Sequence, residues 1–81
     1  MYTDTMKRSF TYLRQYCPPG FSVDIIDNND FITIRMPTHK LEALSHDDKY
    51  KAVEYTLRVK SAFESLGAIV LVTRTPVDTQ Q

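Results

Sequence analysis

The stretch from Ser45 to Leu66 constrains this chain more than any other. It reads as one long amphipathic helix, closed by Gly67, that runs directly into the apolar run Ala68 to Val72. Ala52, Tyr55, Val59, Ala62, Phe63 and Leu66 recur every three or four residues, the spacing that gathers side chains on one helical face. Val53 and Leu57 are expected to widen that stripe. Ser45 followed by Asp48 has the pattern of a capping box, with a hydroxyl for an orphan backbone N–H and a carboxylate three positions on. Asp47 and Asp48 put negative charge in the first turn, where the helix dipole favours it. Asp47, Lys51, Glu54, Arg58, Ser61 and Ser65 mark a solvated arc, with Asp47/Lys51 and Glu54/Arg58 spaced for i,i+4 ion pairs. Gly67 suits the left-handed backbone that follows a helix end.

Earlier in the chain, a first helix is expected from about Asp4 to Tyr16, capped by Thr3 or Asp4. Its stripe of Met6, Phe10, Leu13 and Cys17 is narrow enough to dock on a sheet. Pro18 and Pro19 end it, since proline lacks the N–H and pushes the preceding residue out of the helical region. Phe21 to Ile26 alternates, with Phe21, Val23 and Ile25 on one side, and Phe31 to Met36 alternates with Ile32, Ile34 and Met36 on one side. These are two half-buried strands. Between them, Asp27-Asn28-Asn29-Asp30 supplies asparagines that tolerate the positive φ of a tight hairpin. Pro37 stops the second strand, and Thr38 to Leu44 is expected to form a short helical turn with Leu41 and Leu44 inward. Ala68 to Val72 is apolar without alternation, which predicts a strand covered on both sides or an inner strand of the sheet. A crossover through the long helix places it parallel to a strand of the hairpin. The expectation is an α+β fold of order α-β-β-(short α)-α-β, a three-stranded mixed sheet with helices on one face.

At 81 residues the chain is expected to be a single small domain, 1–81, with room for one core and with residues 1–3 and 77–81 as fraying ends. Formal net charge is zero, so no bulk field draws it to nucleic acid or acidic membranes. Its one cysteine, Cys17, has no partner for an internal disulfide or a cysteine-based zinc site and is expected to serve as a small hydrophobe. A reducing cytoplasm is the expected location. No apolar run approaches membrane-spanning length, and Met1 to Arg8 has no signal-peptide core.

The order of elements is that of the class II KH-like folds, and within that group Phe31 to Leu57 resembles the BolA family. The family's second strand, Phe-Glu-Gly-x-Ser segment and Arg-His-Arg-x-Val-x-x-x-Leu segment correspond, without a gap, to three stretches here. These are Phe31 to Met36, then Leu41-Glu42-Ala43-Leu44-Ser45, then Lys49-Tyr50-Lys51-Ala52-Val53 with Leu57. The family's last strand ends in a basic residue and Thr-Pro, as Arg74-Thr75-Pro76 does. The resemblance implies a partner protein of the monothiol glutaredoxin kind in iron–sulfur handling, or a regulatory role. The family's ligand histidine falls on Tyr50, however, and its ligand-bearing loop shrinks to Asp27 to Asp30, without His or Cys. No metal or cofactor is therefore expected. The KH nucleic-acid grip needs a Gly-x-x-Gly loop, and the two glycines, Gly20 and Gly67, are far apart.

No catalytic constellation is legible, and His39 and His46 lack any known ligand spacing. A chain this short also leaves little room for a deep substrate pocket, so neither an enzyme nor a small-molecule substrate is expected. The leading expectation is a non-enzymatic interaction or adaptor domain that binds a protein partner or itself. Its contact residues would be Tyr12, Tyr16, Tyr50, Lys49 and Lys51, because exposed aromatics bury large area at low entropy cost. The alternative is a nucleic-acid-binding regulatory module, with Arg35, Lys40, Lys49, Lys51 and Arg74 converging on one edge and Tyr50 as a stacking surface. An iron–sulfur accessory protein and a small inhibitor encoded by a virus or mobile element fit the same features.

Overall fold

The computed structural model describes residues 1–76. Helix α1 spans Asp4–Leu13 and tightens into a 3-10 turn at Arg14–Tyr16. The Thr3 hydroxyl caps it by accepting the Met6 N–H at 3.2 Å. The single helix expected through Tyr16 thus changes its winding for its last turn, just before the prolines forbid either form. Strand β1 is Asp24–Asp27 and β2 is Ile32–Met36, with α2 at Thr38–Glu42, α3 at His46–Ser65 and β3 at Val70–Arg74. The expected α+β order holds, α-β-β-α-α-β.

The sheet runs β1-β2-β3, with β1 antiparallel and β3 parallel to β2. Ile25 lies opposite Ile34, which lies opposite Val72, and Ile32 lies opposite Val70. These side chains point at the helices, and with Phe21, Val23, Met36, Leu41, Ala52, Tyr55, Val59, Phe63, Ala68 and Met6 they close one core. Phe21 and Val23 are buried as expected, although they precede β1 rather than belonging to it. The hairpin turns at Asn29, whose φ of 71° is a left-handed value that asparagine tolerates. The parallel strands are tied at their ends: the Thr38 amide donates to Thr75 Oγ1 at 2.9 Å, the Thr38 hydroxyl donates to the Thr75 carbonyl, and the Thr75 amide donates to the Met36 carbonyl at 3.0 Å.

Three expectations are corrected here. The first concerns β3. It is an edge strand pairing with β2 alone among the described residues, and on its open face Leu71 is 51 % exposed, as is Ile69, the residue just before the strand, at 66 %. An unbroken apolar run therefore need not be covered on both faces. The second concerns α3. Val53 and Leu57 do not widen its buried stripe but stand exposed at 41 % and 54 %, and Leu66 is exposed too. The middle of the buried face is completed by Thr56, whose hydroxyl is internally satisfied by donating to the Ala52 carbonyl at 2.9 Å. Counting only apolar residues misses it.

The third correction is electrostatic. The Asp47/Lys51 and Glu54/Arg58 pairs do not form; Lys51 approaches Asp48 at 4.0 Å, Lys60 bonds Glu64 at 2.9 Å, and Arg58 lies 4.4 Å from the centroid of the Tyr16 ring. At the N-terminus, where residues 1–3 were expected to fray, two polar contacts reach Asp27. Asp27 Oδ2 accepts the Met1 ammonium at 2.8 Å and the Tyr2 amide at 2.9 Å, and the Tyr2 ring meets Phe63 edge-on with centroids 5.8 Å apart. The corresponding expectation for 77–81 lies outside the described residues.

Candidate functional site

Helix α3 has two apolar stripes. One is the core stripe of Ala52, Tyr55, Thr56, Val59 and Phe63. The other, Tyr50, Val53 and Leu57, follows the same three- and four-residue spacing but is rotated by about a quarter to half a turn, which takes it off the sheet. Tyr50 is 70 % exposed. Together with Glu54, Arg58 and Ser61 these residues line a shallow groove of ≈ 410 Å³ along the helix. A smaller hollow of ≈ 240 Å³ continues toward the N-terminal end between His46, Lys49, Tyr50 and Val53. There the His46 ring stands at 90° to Tyr50 with centroids 5.3 Å apart, which fixes the tyrosine at the groove's mouth.

The position of α1 determines which side of α3 this is. Ala62 closes a hollow of ≈ 410 Å³ with Thr5, Arg8, Ser9, Tyr12 and Leu13, so the Ala62 flank faces α1. Ala62 is nine positions after Val53, about two and a half turns, and so faces the opposite way. The Val53 flank is thus the one turned away from α1, and α3 packs on β2 and β3.

The five residues expected to bind a partner do not form one patch. Tyr50 and Lys49 share the groove and its hollow. Tyr16 joins them indirectly, because Arg58 stacks over its ring while lining the groove. Tyr12 lies on the other flank, in the hollow beside α1, and Lys51 stands off the groove near Asp48. The basic set is dispersed as well. Arg35 pairs in register with Asp24 and Thr73 on the open face of the sheet, its Nε 3.9 Å from Asp24 and without a hydrogen-bond partner. Arg74 pairs with Met36, whose side chain is buried toward the helices, so strand alternation puts the two arginines on opposite faces. Lys40 is drawn to the chain before β1, donating to Ser22 Oγ at 2.9 Å.

Residues that the sequence assigned to the interior prove to be surface. Val53 and Leu57 are one set; Ile69 and Leu71 are the other, sharing the open sheet face with Ile26 and Thr33. The signal was present in α3, whose apolar residues cover too wide an arc to be buried against one sheet. Groups with displaced titration lie away from this surface. Burial pushes the Tyr55 phenol up to about 12 and raises the Cys17 thiol, which donates to the Phe21 carbonyl at 3.2 Å. Both shifts arise chiefly from burial against the core.

Among the described residues, no three His, Cys, Asp or Glu side chains are grouped to hold a metal ion, and no helix is long and apolar enough to cross a membrane. No family model matches the chain, nor does any curated protein or solved structure to a significant degree.

Proposed function

We propose that this chain is a non-enzymatic, cytoplasmic interaction domain of BolA-like layout that binds a protein partner or a second copy of itself through the outer flank of α3. The observation that carries the reading is the second apolar stripe, Tyr50, Val53 and Leu57, held on a rigid 20-residue helix and left exposed. A large aromatic flanked by aliphatic side chains, rimmed by Lys49, Glu54 and Arg58, has the composition of an interface centre with a polar rim. The ordering cost of binding is small, because the residues sit on a packed helix rather than a loop. Dispersal of Arg35, Lys40 and Arg74 gives the nucleic-acid alternative no comparable surface.

The test is replacement of Tyr12, Tyr16, Tyr50, Lys49 and Lys51 by alanine, together and in two groups, followed by measurement of oligomeric state and of captured partners. The groove group, Tyr16, Tyr50 and Lys49, is expected to abolish binding, and the pair Tyr12 and Lys51 to leave it intact. Unchanged association after replacement of all five would refute the reading.

A further inference from the structure

We infer that the partner is a second copy of this chain, joined edge to edge through β3 so that the two sheets become one six-stranded sheet and the two α3 flanks meet above it. This rests on the interaction reading and specifies its partner.

Backbone geometry supplies the first argument. In a parallel pair, alternate residues of a strand turn both N–H and C=O toward the neighbour. The Ile69 carbonyl accepts the Ile32 N–H at 2.8 Å and the Thr75 N–H donates to the Met36 carbonyl at 3.0 Å, so Ile69, Leu71, Thr73 and Thr75 face β2. Val70, Val72 and Arg74 therefore direct their N–H and C=O groups to the edge that no other described strand pairs with. An antiparallel two-fold centred on Val72 pairs Val72 with its own copy and Val70 with Arg74 of the partner, satisfying all three residues twice over. The edge carries no bulge or proline within Val70–Arg74, devices that ordinarily block such pairing, and its one charge, Arg74, stands at the last position of the strand and is exposed.

Packing supplies the second. Strands lie about 4.8 Å apart, so the two-fold axis falls about 2.4 Å beyond β3. A helix over the β2–β3 midline then lies about 5 Å from that axis, and two such helices stand about 10 Å apart, close to the 8–10 Å of packed helices. The flank of α3 turned away from α1 is the one brought to this contact, so Val53 and Leu57 are covered by the same operation that pairs the strands. Strand pairing alone falls short of the roughly 800 Å² per partner that stable interfaces bury. A helix strip about 30 Å long supplies much of the remainder. Charge does not oppose it: the formal net charge of the chain is zero, so two copies meet without bulk repulsion.

Hydrogen exchange of the unmodified chain, read by NMR at rising concentration alongside sedimentation equilibrium, tests this directly. The amides of Val70, Val72 and Arg74 are expected to slow by at least about tenfold as dimer forms, while those of Leu71 and Thr73, already bonded to β2, are protected throughout. Val72→Pro removes an edge-facing N–H and some of the packing of a half-buried side chain. It is expected to give a monomer with the same fold by circular dichroism, whereas Val72→Ala, which loses the packing but keeps the N–H, is expected still to dimerise. A dimer whose edge amides exchange freely, or a Val72→Pro chain that still dimerises, overturns the β3 interface and leaves the interaction reading standing. A chain monomeric at about 1 mM, where even weak association shows, overturns the self-partner; loss of partner capture in the groove variants then upholds the broader reading alone.

Discussion

Asp27 shows how much a single exposed side chain can organise. Its carboxylate is held down to about 2, first by the Met1 ammonium, then by the Tyr2 and Asn29 amides. The unfolded value lies near 3.9, so the folded state prefers the ionised form. Stability from these bonds is complete above about pH 4 and is lost as pH falls toward 2. Urea midpoints measured from pH 5 to pH 2 are expected to fall further for the natural chain than for Asp27→Asn, the two curves converging at the acid end. Tyr55 behaves in the opposite sense. Burial, with smaller contributions from Cys17 and Tyr2 and opposition from Arg14, raises its phenol to about 12, above the unfolded value near 10. Its contribution is complete below pH 10 and disappears between 10 and 12. Tyr55→Phe is expected to lose less stability than the natural chain over that interval, and parallel curves would show that Tyr55 does not titrate there. Tyr55 and Cys17 were legible as core from spacing. The partner of Asp27 was not, because the sequence places it only in a turn and says nothing of what crosses over that turn.

At the scale of elements, punctuation in the sequence proved more exact than composition. Ser45 caps α3 by accepting the Asp48 N–H at 3.2 Å, and Gly67 follows the helix with φ of +95° and nothing within 4 Å of where a Cβ would stand. Gly67→Ala therefore costs backbone strain alone, on the order of 1–2 kcal/mol, with Gly67→Asn costing less; equal midpoints for the two variants would count against the strain account. Each strand and helix was legible because a period of two or of three to four is a local property. Two things were not. Periodicity says which residues share a face but not what lies opposite, so Val53 and Leu57 were assigned to a core that α3 does not extend to. An apolar run also looks the same at the edge of a sheet as in its middle, and β3 is at the edge.

The whole molecule joins these two errors, since both describe apolar surface that a lone chain leaves in water. A domain of this size has a total stability of roughly 4–12 kcal/mol, so interior and surface positions should separate sharply. Ile34 is fully buried between Ile25 and Val72, and Ile34→Ala is expected to cost about 2–5 kcal/mol, enough to leave the chain close to unfolding. Leu57→Ala removes a side chain of similar size from the exposed flank and, in dilute solution, is expected to change stability by no more than about 0.5 kcal/mol. The decisive comparison is across concentration. If that flank is covered by a second copy, folding and association are linked, and the thermal midpoint of the natural chain rises with concentration by mass action. Leu57→Ala should then match the natural chain when dilute and fall below it when concentrated, because the side chain is buried only in the pair. Midpoints that agree at every concentration would show that Leu57 stays in water, and that the second stripe of α3 serves some purpose other than association with its own copy.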